Sequence, residues 1–231
     1  MLPRLYPILD IDLCRERRLE PLAVLAAFLE GGATFLQLRD KSPSTAARLA
    51  LADAVVAQAH AAGARVIIND RVDVARLSGA DGVHVGQEDL AVDDARRILG
   101  PDAIVGLSTH DERQIEAAAR TTATYIVVGP IYGTATKDTG YSARGLDLVR
   151  LAVLTLRQSS LRQSSGQAGQ AGQGGRPVVA IGGITLERAP EVLAAGAASV
   201  AVISDLLRED PVTMVRSFRQ RLGETADKRD V

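Results

Sequence analysis

Val128-Gly129-Pro130-Ile131-Tyr132-Gly133-Thr134-Ala135-Thr136-Lys137 follows directly on an apolar, β-rich run from Tyr125 to Val128. Thr134, Thr136 and Lys137 place two hydroxyls and an ammonium on one short loop where a buried strand surfaces. Such a loop suits anionic phosphate oxygens, because charged donors make shorter and stronger hydrogen bonds to phosphate than neutral ones. The same residues would also suit a Gly/Thr-rich connector with a solvated lysine. Chemistry at other strand ends weighs toward the first reading.

Gln37-Leu38-Arg39-Asp40-Lys41 closes the second apolar run. Alternation along an extended chain puts Gln37, Arg39 and Lys41 on one side and Leu38 on the other. Polar groups so close to a buried run are costly without a partner, and an anionic ligand resolves that cost. The third run ends in Asn69-Asp70, and the fourth is followed by Gly86-Gln87-Glu88-Asp89. Neighbouring strands lie roughly 4.8 Å apart, so Asp70 and Asp89 can approach a single ion. Two carboxylates plus ligand phosphates are a common Mg²⁺ environment; taken singly, each aspartate would equally serve as a helix N-cap. Ser108 ends the fifth run, where a serine is also a frequent cap. Gly182-Gly183 ends the seventh and Val202-Ile203-Ser204 the eighth. Paired glycines allow close backbone approach, and a helix start offers N–H groups to a phosphate. Of the three histidines, His60 reads as a surface helical residue and His84 as a hydrogen-bonded core group. His110 lies near the chemistry without an evident carboxylate partner, and none is expected to act as a general base.

The elements that must position these residues form a regular series. Short β-branched runs are expected at 4–9, 35–38, 65–68, 82–85, 104–107, 125–128, 178–181 and 199–203. Helices are expected at 21–30, 44–62, 72–77, 92–99, 112–120, 146–156, 186–195 and 211–222. Eight strands each followed by a helix imply a closed (β/α)₈ TIM barrel of the α/β class, a fold that reaches this length as a single domain. One segment breaks the rhythm. Leu156-Arg157-Gln158-Ser159-Ser160 is repeated at Leu161-Arg162-Gln163-Ser164-Ser165 and runs into Gly/Gln/Ala reiteration up to Gly174. This composition buries too little apolar surface to order itself. The expectation is therefore a catalytic barrel over residues 1–223 with a disordered loop at about 158–175, hanging from the face opposite the chemistry. A disordered charged tail is expected over 224–231.

Taken together, the strand ends closely resemble the thiamine phosphate synthase family, from Leu5 to about Phe218 apart from the glutamine-rich segment. The matching pieces are Gln37 to Lys41, Ile68-Asn69-Asp70-Arg71, His84 to Asp89, Gly106-Leu107-Ser108, Gly129 to Lys137, Ile181-Gly182-Gly183-Ile184 and Val202-Ile203-Ser204. The resemblance implies that a hydroxymethylpyrimidine diphosphate is joined to a thiazole phosphate, with release of diphosphate through a pyrimidine-methyl cation. By position it implies that Gln37, Leu38, Arg39, Asp40, Lys41, Asn69, Ser108 and Lys137 hold the pyrimidine diphosphate, with Arg39, Lys41, Ser108 and Lys137 acting in catalysis. Thr134, Ala135, Thr136, Gly183, Ile203 and Ser204 would hold the thiazole phosphate, and Asp70 and Asp89 one Mg²⁺. Gly133 departs from the pattern, since many relatives carry proline or a similar residue there.

Bulk properties narrow the partners. A formal charge of −1 and the absence of tryptophan give no footprint for nucleic acid or an anionic membrane. The single cysteine, Cys14, excludes an intrachain disulfide and a multi-cysteine metal site. No apolar run is long enough to span a bilayer and no signal pattern opens the chain. A cytoplasmic enzyme on small-molecule substrates, with a homo-oligomer open, is the expectation. The rival readings are a thiazole tautomerase, which would carry a histidine where Pro130 stands, and a non-catalytic phosphate-binding barrel.

Overall fold

The computed structural model describes residues 2–42, 44–133, 142–164 and 175–224, with the side chains of 162–164 excepted. Eight parallel strands close in sequence order: β1 (Leu5–Asp10), β2 (Phe35–Arg39), β3 (Arg65–Asn69), β4 (Gly82–Val85), β5 (Ile104–Thr109), β6 (Tyr125–Val128), β7 (Val178–Ile181) and β8 (Ser199–Val202). The expected α/β barrel is therefore the observed one, and β1 pairs with β8 through Leu5–Val200 and Tyr6–Ala201. Around it run α1 (Ile11–Glu16), α2 (Pro21–Glu30), α3 (Thr45–Ala61), α4 (Val72–Ser78), α5 (Val92–Leu99), α6 (Glu112–Ala118), α7 (Gly145–Ser164), α8 (Ala189–Ala194) and α9 (Pro211–Arg221). A 3₁₀ turn spans Ser204–Leu207. No helix among the described residues is long and apolar enough to cross a membrane.

Strand alternation sorts the apolar residues into two cores. Leu5, Leu9, Leu36, Val66 and Val105 point outward and pack with helix residues such as Leu25, Phe28, Val55 and Ile115. Tyr6, Ile8, Phe35, Ile67, Tyr125, Val127, Val179 and Ala201 form a separate cluster without any helix residue, which is the filled barrel interior. Space for the aromatic part of that interior comes from Gly106. A Cβ there would collide with the Tyr125 ring and hydroxyl and would lie 2.5 Å from His84 Nδ1.

The α1 helix was not expected, and Asp10 explains it. At the end of β1, 3% exposed, Asp10 accepts a hydrogen bond from Leu13 N at 3.0 Å through one carboxylate oxygen, the bond of a helix N-cap. Its other oxygen takes the Arg39 guanidinium at 2.5 Å. One carboxylate thus starts a helix and anchors a cation of β2.

Two expectations about disorder need revision. The α7 helix runs through 158–164, seven residues that were assigned to the loop. Leucine, arginine and glutamine are good helix formers. Leu156 is buried, Ser159 Oγ donates to Ala119 O at 3.3 Å, and Ser160 Oγ donates back to Leu156 O at 3.0 Å. Arg176 then donates to Ala118 O (2.8 Å) and Ala119 O (2.7 Å), tying the chain on the far side of the insertion to the same helix end. Residues 165–174 lie outside the described residues. Glu224, assigned to the tail, caps the barrel floor instead: it accepts from Arg4 N, Leu5 N and Arg219 Nε. Residues 225–231 are outside the described residues.

Three outcomes follow, two for stability and one for turnover. Asp10→Ala removes a cap, worth about 1 kcal/mol, and strips a partly buried guanidinium of its partner, for a combined loss of roughly 3 kcal/mol or more; Asp10→Asn recovers the cap share, both read by denaturant unfolding. Gly106→Ala costs about 1–3 kcal/mol by overpacking, whereas Gly133→Ala, with nothing within 4 Å of its added carbon, stays within about 0.5 kcal/mol. Replacing 165–174 with a Gly-Ser linker of about half the length leaves turnover unchanged, since both attachment points sit by the N-terminal ends of the strands and loop closure changes by about 0.6 kcal/mol per doubling. A well-folded shortened variant without activity would contradict that placement.

Candidate active site

Among the described residues, the polar strand ends gather at one mouth, the C-terminal end of the barrel. On the β2 side, Gln37 points into the barrel at 4% exposure and Arg39 is held by Asp10. Asp40 turns back to accept from Ser42 N at 2.8 Å, which shapes the turn carrying Lys41. Leu38 is buried in the outer core, so it contributes packing and its backbone rather than a side chain facing the mouth. Lys41 reaches across to Asp70 and forms an ion pair with it.

Neither aspartate of the expected metal pair caps a helix. The residue preceding α4 is Arg71 and the one preceding α5 is Ala91, and neither helix has a side-chain cap. Asp89 instead accepts from Gly86 N at 2.7 Å within its own turn. Asp70 sits in the left-handed region at φ 62°, an uncommon conformation for a residue other than glycine. That backbone sets its carboxylate between Lys41 and Asp89. Burial raises the Asp70 carboxyl, but the Lys41 ammonium and a hydrogen bond with Asp89 outweigh it and hold it below the usual range. Asp89 moves the other way: burial lifts it and the charge of Asp70 adds to this, against the Gly86 N–H. The two carboxyls thus face each other closely enough to shift one another in opposite directions.

On the β4–β5 wall, His84 Nε2 is 2.7 Å from Ser108 Oγ, and the imidazole stacks on Tyr125 with centroids 5.8 Å apart at 20°. His84 is thus the core histidine that was expected, and Ser108 is not a cap; Asp111 caps α6. Gln87 Nε2 donates to Ser108 O at 2.6 Å. His60 lies on the helical surface beside Asp81, 2.9 Å away. His110 Nδ1 meets Gly129 O at 2.6 Å.

Across the mouth, a cavity of about 470 Å³ is lined by Ser108, Gly129, Pro130, Gly182, Gly183, Ile203 and Ser204, with Arg17 and Arg188 among its outer residues. Both glycines have positive φ, 103° and 61°. A Cβ on Gly182 would lie 2.6 Å from Pro130 Cβ, and one on Gly183 would lie 2.5 Å from Gly133 O. Only glycine meets both demands, backbone angle and closeness. Thr134, Ala135, Thr136 and Lys137 lie outside the described residues. A smaller pocket of about 50 Å³ between the two sides is lined by Gln37, Arg39, Asn69, His84, Ser108 and Ile203, among others.

Several functional neighbours escaped the sequence reading. Asp10 carried one usable signal, its place at the end of the first strand, matching the other polar strand ends. Arg188 carried none: it stacks 4.6 Å from the Tyr132 ring centroid and donates to Gly183 O at 3.1 Å. Tyr132 in turn donates to Glu191 at 2.5 Å, and burial together with that bond pushes its phenol up to about 12.

Comparison with known proteins agrees with this geometry. A thiamine-phosphate synthase from Roseiflexus castenholzii is 40% identical over 215 residues, covering 92% of this chain and 85% of that protein. One from Koribacter versatilis is 40% identical over 227 residues, covering 96% of each. The solved thiamine phosphate pyrophosphorylase from Pyrococcus furiosus superposes with a TM-score of 0.76 at 30% identity, covering 96% of both chains. The pattern described as thiamine monophosphate synthase matches residues 5–206, and the chain belongs to that family, as a transferase of the thiamine-phosphate synthase type.

Proposed function

We propose that the enzyme joins 4-amino-5-hydroxymethyl-2-methylpyrimidine diphosphate to hydroxyethylthiazole phosphate, carboxylated or not, with one Mg²⁺ on the diphosphate. The observation that carries this reading is the pairing of Asp70 and Asp89 beside Lys41 and Arg39 on one side of a mouth whose other side is the glycine-lined cavity. Two anionic groups with an aromatic ring between them match that division.

The carboxyl pair fits a divalent cation. A cation held between the two carboxyls would relieve the repulsion that adds to burial in lifting Asp89. No group of three or more His, Cys, Asp or Glu side chains converges among the described residues. The remaining ligands would be water and phosphate oxygens, as Mg²⁺ commonly takes them. When bound, the ion supplies charge neutralisation to the departing diphosphate.

The residues then divide the work. Arg39, fixed by Asp10, and Lys41 would hold diphosphate oxygens. Gln37, Asn69 and Ser108 would orient the ring, with His84 fixing the Ser108 hydroxyl. The bond from the pyrimidine methylene carbon to oxygen breaks and its electron pair leaves with diphosphate. The thiazole nitrogen then uses its lone pair to form the new carbon–nitrogen bond. Neither step needs a general base, and none is proposed. Preorganised cations aimed at the growing leaving-group charge are the larger contribution in such a site. With a carboxylated thiazole, carbon dioxide is lost after coupling. On the opposite side, Gly183, Ile203 and Ser204, with Thr134, Ala135 and Thr136, would hold the thiazole phosphate, and Lys137 would reach the diphosphate. The reaction takes place in the cytoplasm on this reading, with no nucleic acid or membrane partner. A tautomerase is disfavoured because Pro130, packed against Gly182, stands where its histidine would be required.

Asp70→Ala and Asp89→Ala decide the matter of the metal. Both should stay folded, since neither caps a helix, and both should lose roughly 100-fold or more in turnover at saturating substrates. Diphosphate release in the wild-type enzyme should require both substrates and Mg²⁺. Near-wild-type turnover of either variant at limiting Mg²⁺ would remove that aspartate from the metal site.

A further inference from the structure

The barrel interior holds a polar chain that the steps above leave without a task. Tyr6 is 1% exposed, and its ring is set edge-on by Phe35 (centroids 4.7 Å apart, 61°) and by Tyr125 (5.9 Å, 82°). A phenol caged between two rings keeps its hydroxyl at one point. That hydroxyl accepts from Gln37 Nε2 at 2.9 Å and shares a second hydrogen bond with Tyr125 OH, also at 2.9 Å. Burial drives both phenols upward, so both stay neutral and able to donate. A glutamine amide has a donor end and an acceptor end. With the donor end committed to Tyr6, Oε1 is the end left for the small pocket that Gln37 lines with Asn69, His84 and Ser108. A buried acceptor demands an N–H from whatever enters. An exocyclic amino group supplies one. A carbonyl oxygen at the same ring position would instead face Oε1 lone pair to lone pair.

We propose that Tyr6 is a positioning residue that holds the Gln37 amide acceptor-outward and thereby makes the site select an amino-bearing heteroaromatic ring over its oxo counterpart. The proposal rests on the pyrimidine diphosphate reading given above. Selectivity of this kind is strong when a buried hydrogen-bonding group would be left unmatched by the wrong ligand.

The amino group also assists ionisation of the substrate, so the test is made on binding. Calorimetry with Mg²⁺ present gives Kd for 4-amino-2-methyl-5-(diphosphooxymethyl)pyrimidine and for its 4-oxo analogue. In the wild-type enzyme the amino compound should bind at least roughly tenfold more tightly. In Tyr6→Phe the amide is free to turn over, and that ratio should collapse toward one while the melting temperature shows the variant folded. Gln37→Glu, with acceptors at both ends, should retain the preference whatever its turnover. It also keeps the test decisive if Tyr6→Phe fails to fold. An unchanged ratio in folded Tyr6→Phe, or a ratio that collapses in Gln37→Glu, overturns the proposal. Wild-type turnover of the amino compound with thiazole phosphate separates this from a failure of the functional reading itself.

Discussion

Polar groups can occupy the dry interior of a closed barrel only if they satisfy one another, and that constraint organises this molecule. Gln37, Tyr6, Tyr125, His84 and Ser108 come from five different strands, yet they form two linked sets in contact through the Tyr125 ring. A polar side chain left unpaired at that depth would cost a kcal/mol or more. Each member therefore has its orientation set by its neighbour, down to the glycine at 106 that makes room for the stack. The ligand-facing atoms at the mouth inherit this order. Their positions follow from the hydrogen bonds and ring contacts of the layer beneath them.

Charge at the rim follows a different logic. Arg39 and Lys41, the cations proposed above to hold a diphosphate, are each paired with a carboxylate. The two partners differ in kind. Asp10 is buried and also caps α1, so its bond to Arg39 is part of the fold. Asp70 is more open and its backbone is held in a left-handed conformation, so it faces Lys41 and Asp89 together. On the function proposed above, Asp70 and Asp89 would hold the metal, and Lys41 would then be available to phosphate oxygens. Burial thus sets Asp10, an anchor within the fold, apart from the more open Asp70, which on the proposed reading would serve the metal.

Much of this was legible in the residues before any coordinates. The eight strands were, because each β-branched run is bounded by a glycine or by a polar end, and strand boundaries differ from expectation by no more than two residues at either end. Gln37, Arg39 and Lys41 were readable from alternation, and Asp70 and Asp89 from adjacency of their strands. What escaped was set by the third dimension. The hydroxyls of Tyr6 and Tyr125 look like ordinary aromatic core residues until closure of the barrel brings them together. The short α1 has too few residues to show a period, and its only signal is the cap. The Gln158–Ser164 stretch was misjudged because composition hid a helix whose earlier turns are anchored by Leu156 and whose later ones add serine contacts to Ala119 and Leu156.

The glycine-lined side of the mouth completes the argument from constraint. There the backbone does what side chains do at the opposite rim: Gly182 and Gly183 bring the end of β7 against Pro130 and Gly133 more closely than any Cβ allows. Ile131 N and Tyr132 N donate to Ile181 O and Gly182 O at 2.9 and 3.0 Å, so the start of the segment leading to Thr134 is fastened to the end of β7. A monophosphate, with less charge than a diphosphate, needs fewer cations and can rely on N–H groups and hydroxyls. On the reading proposed above, a backbone wall suits that ligand, while side-chain cations beside a carboxylate pair suit a diphosphate that would leave. The proposed reaction gives the two phosphates different fates, and the difference between the two walls accords with that.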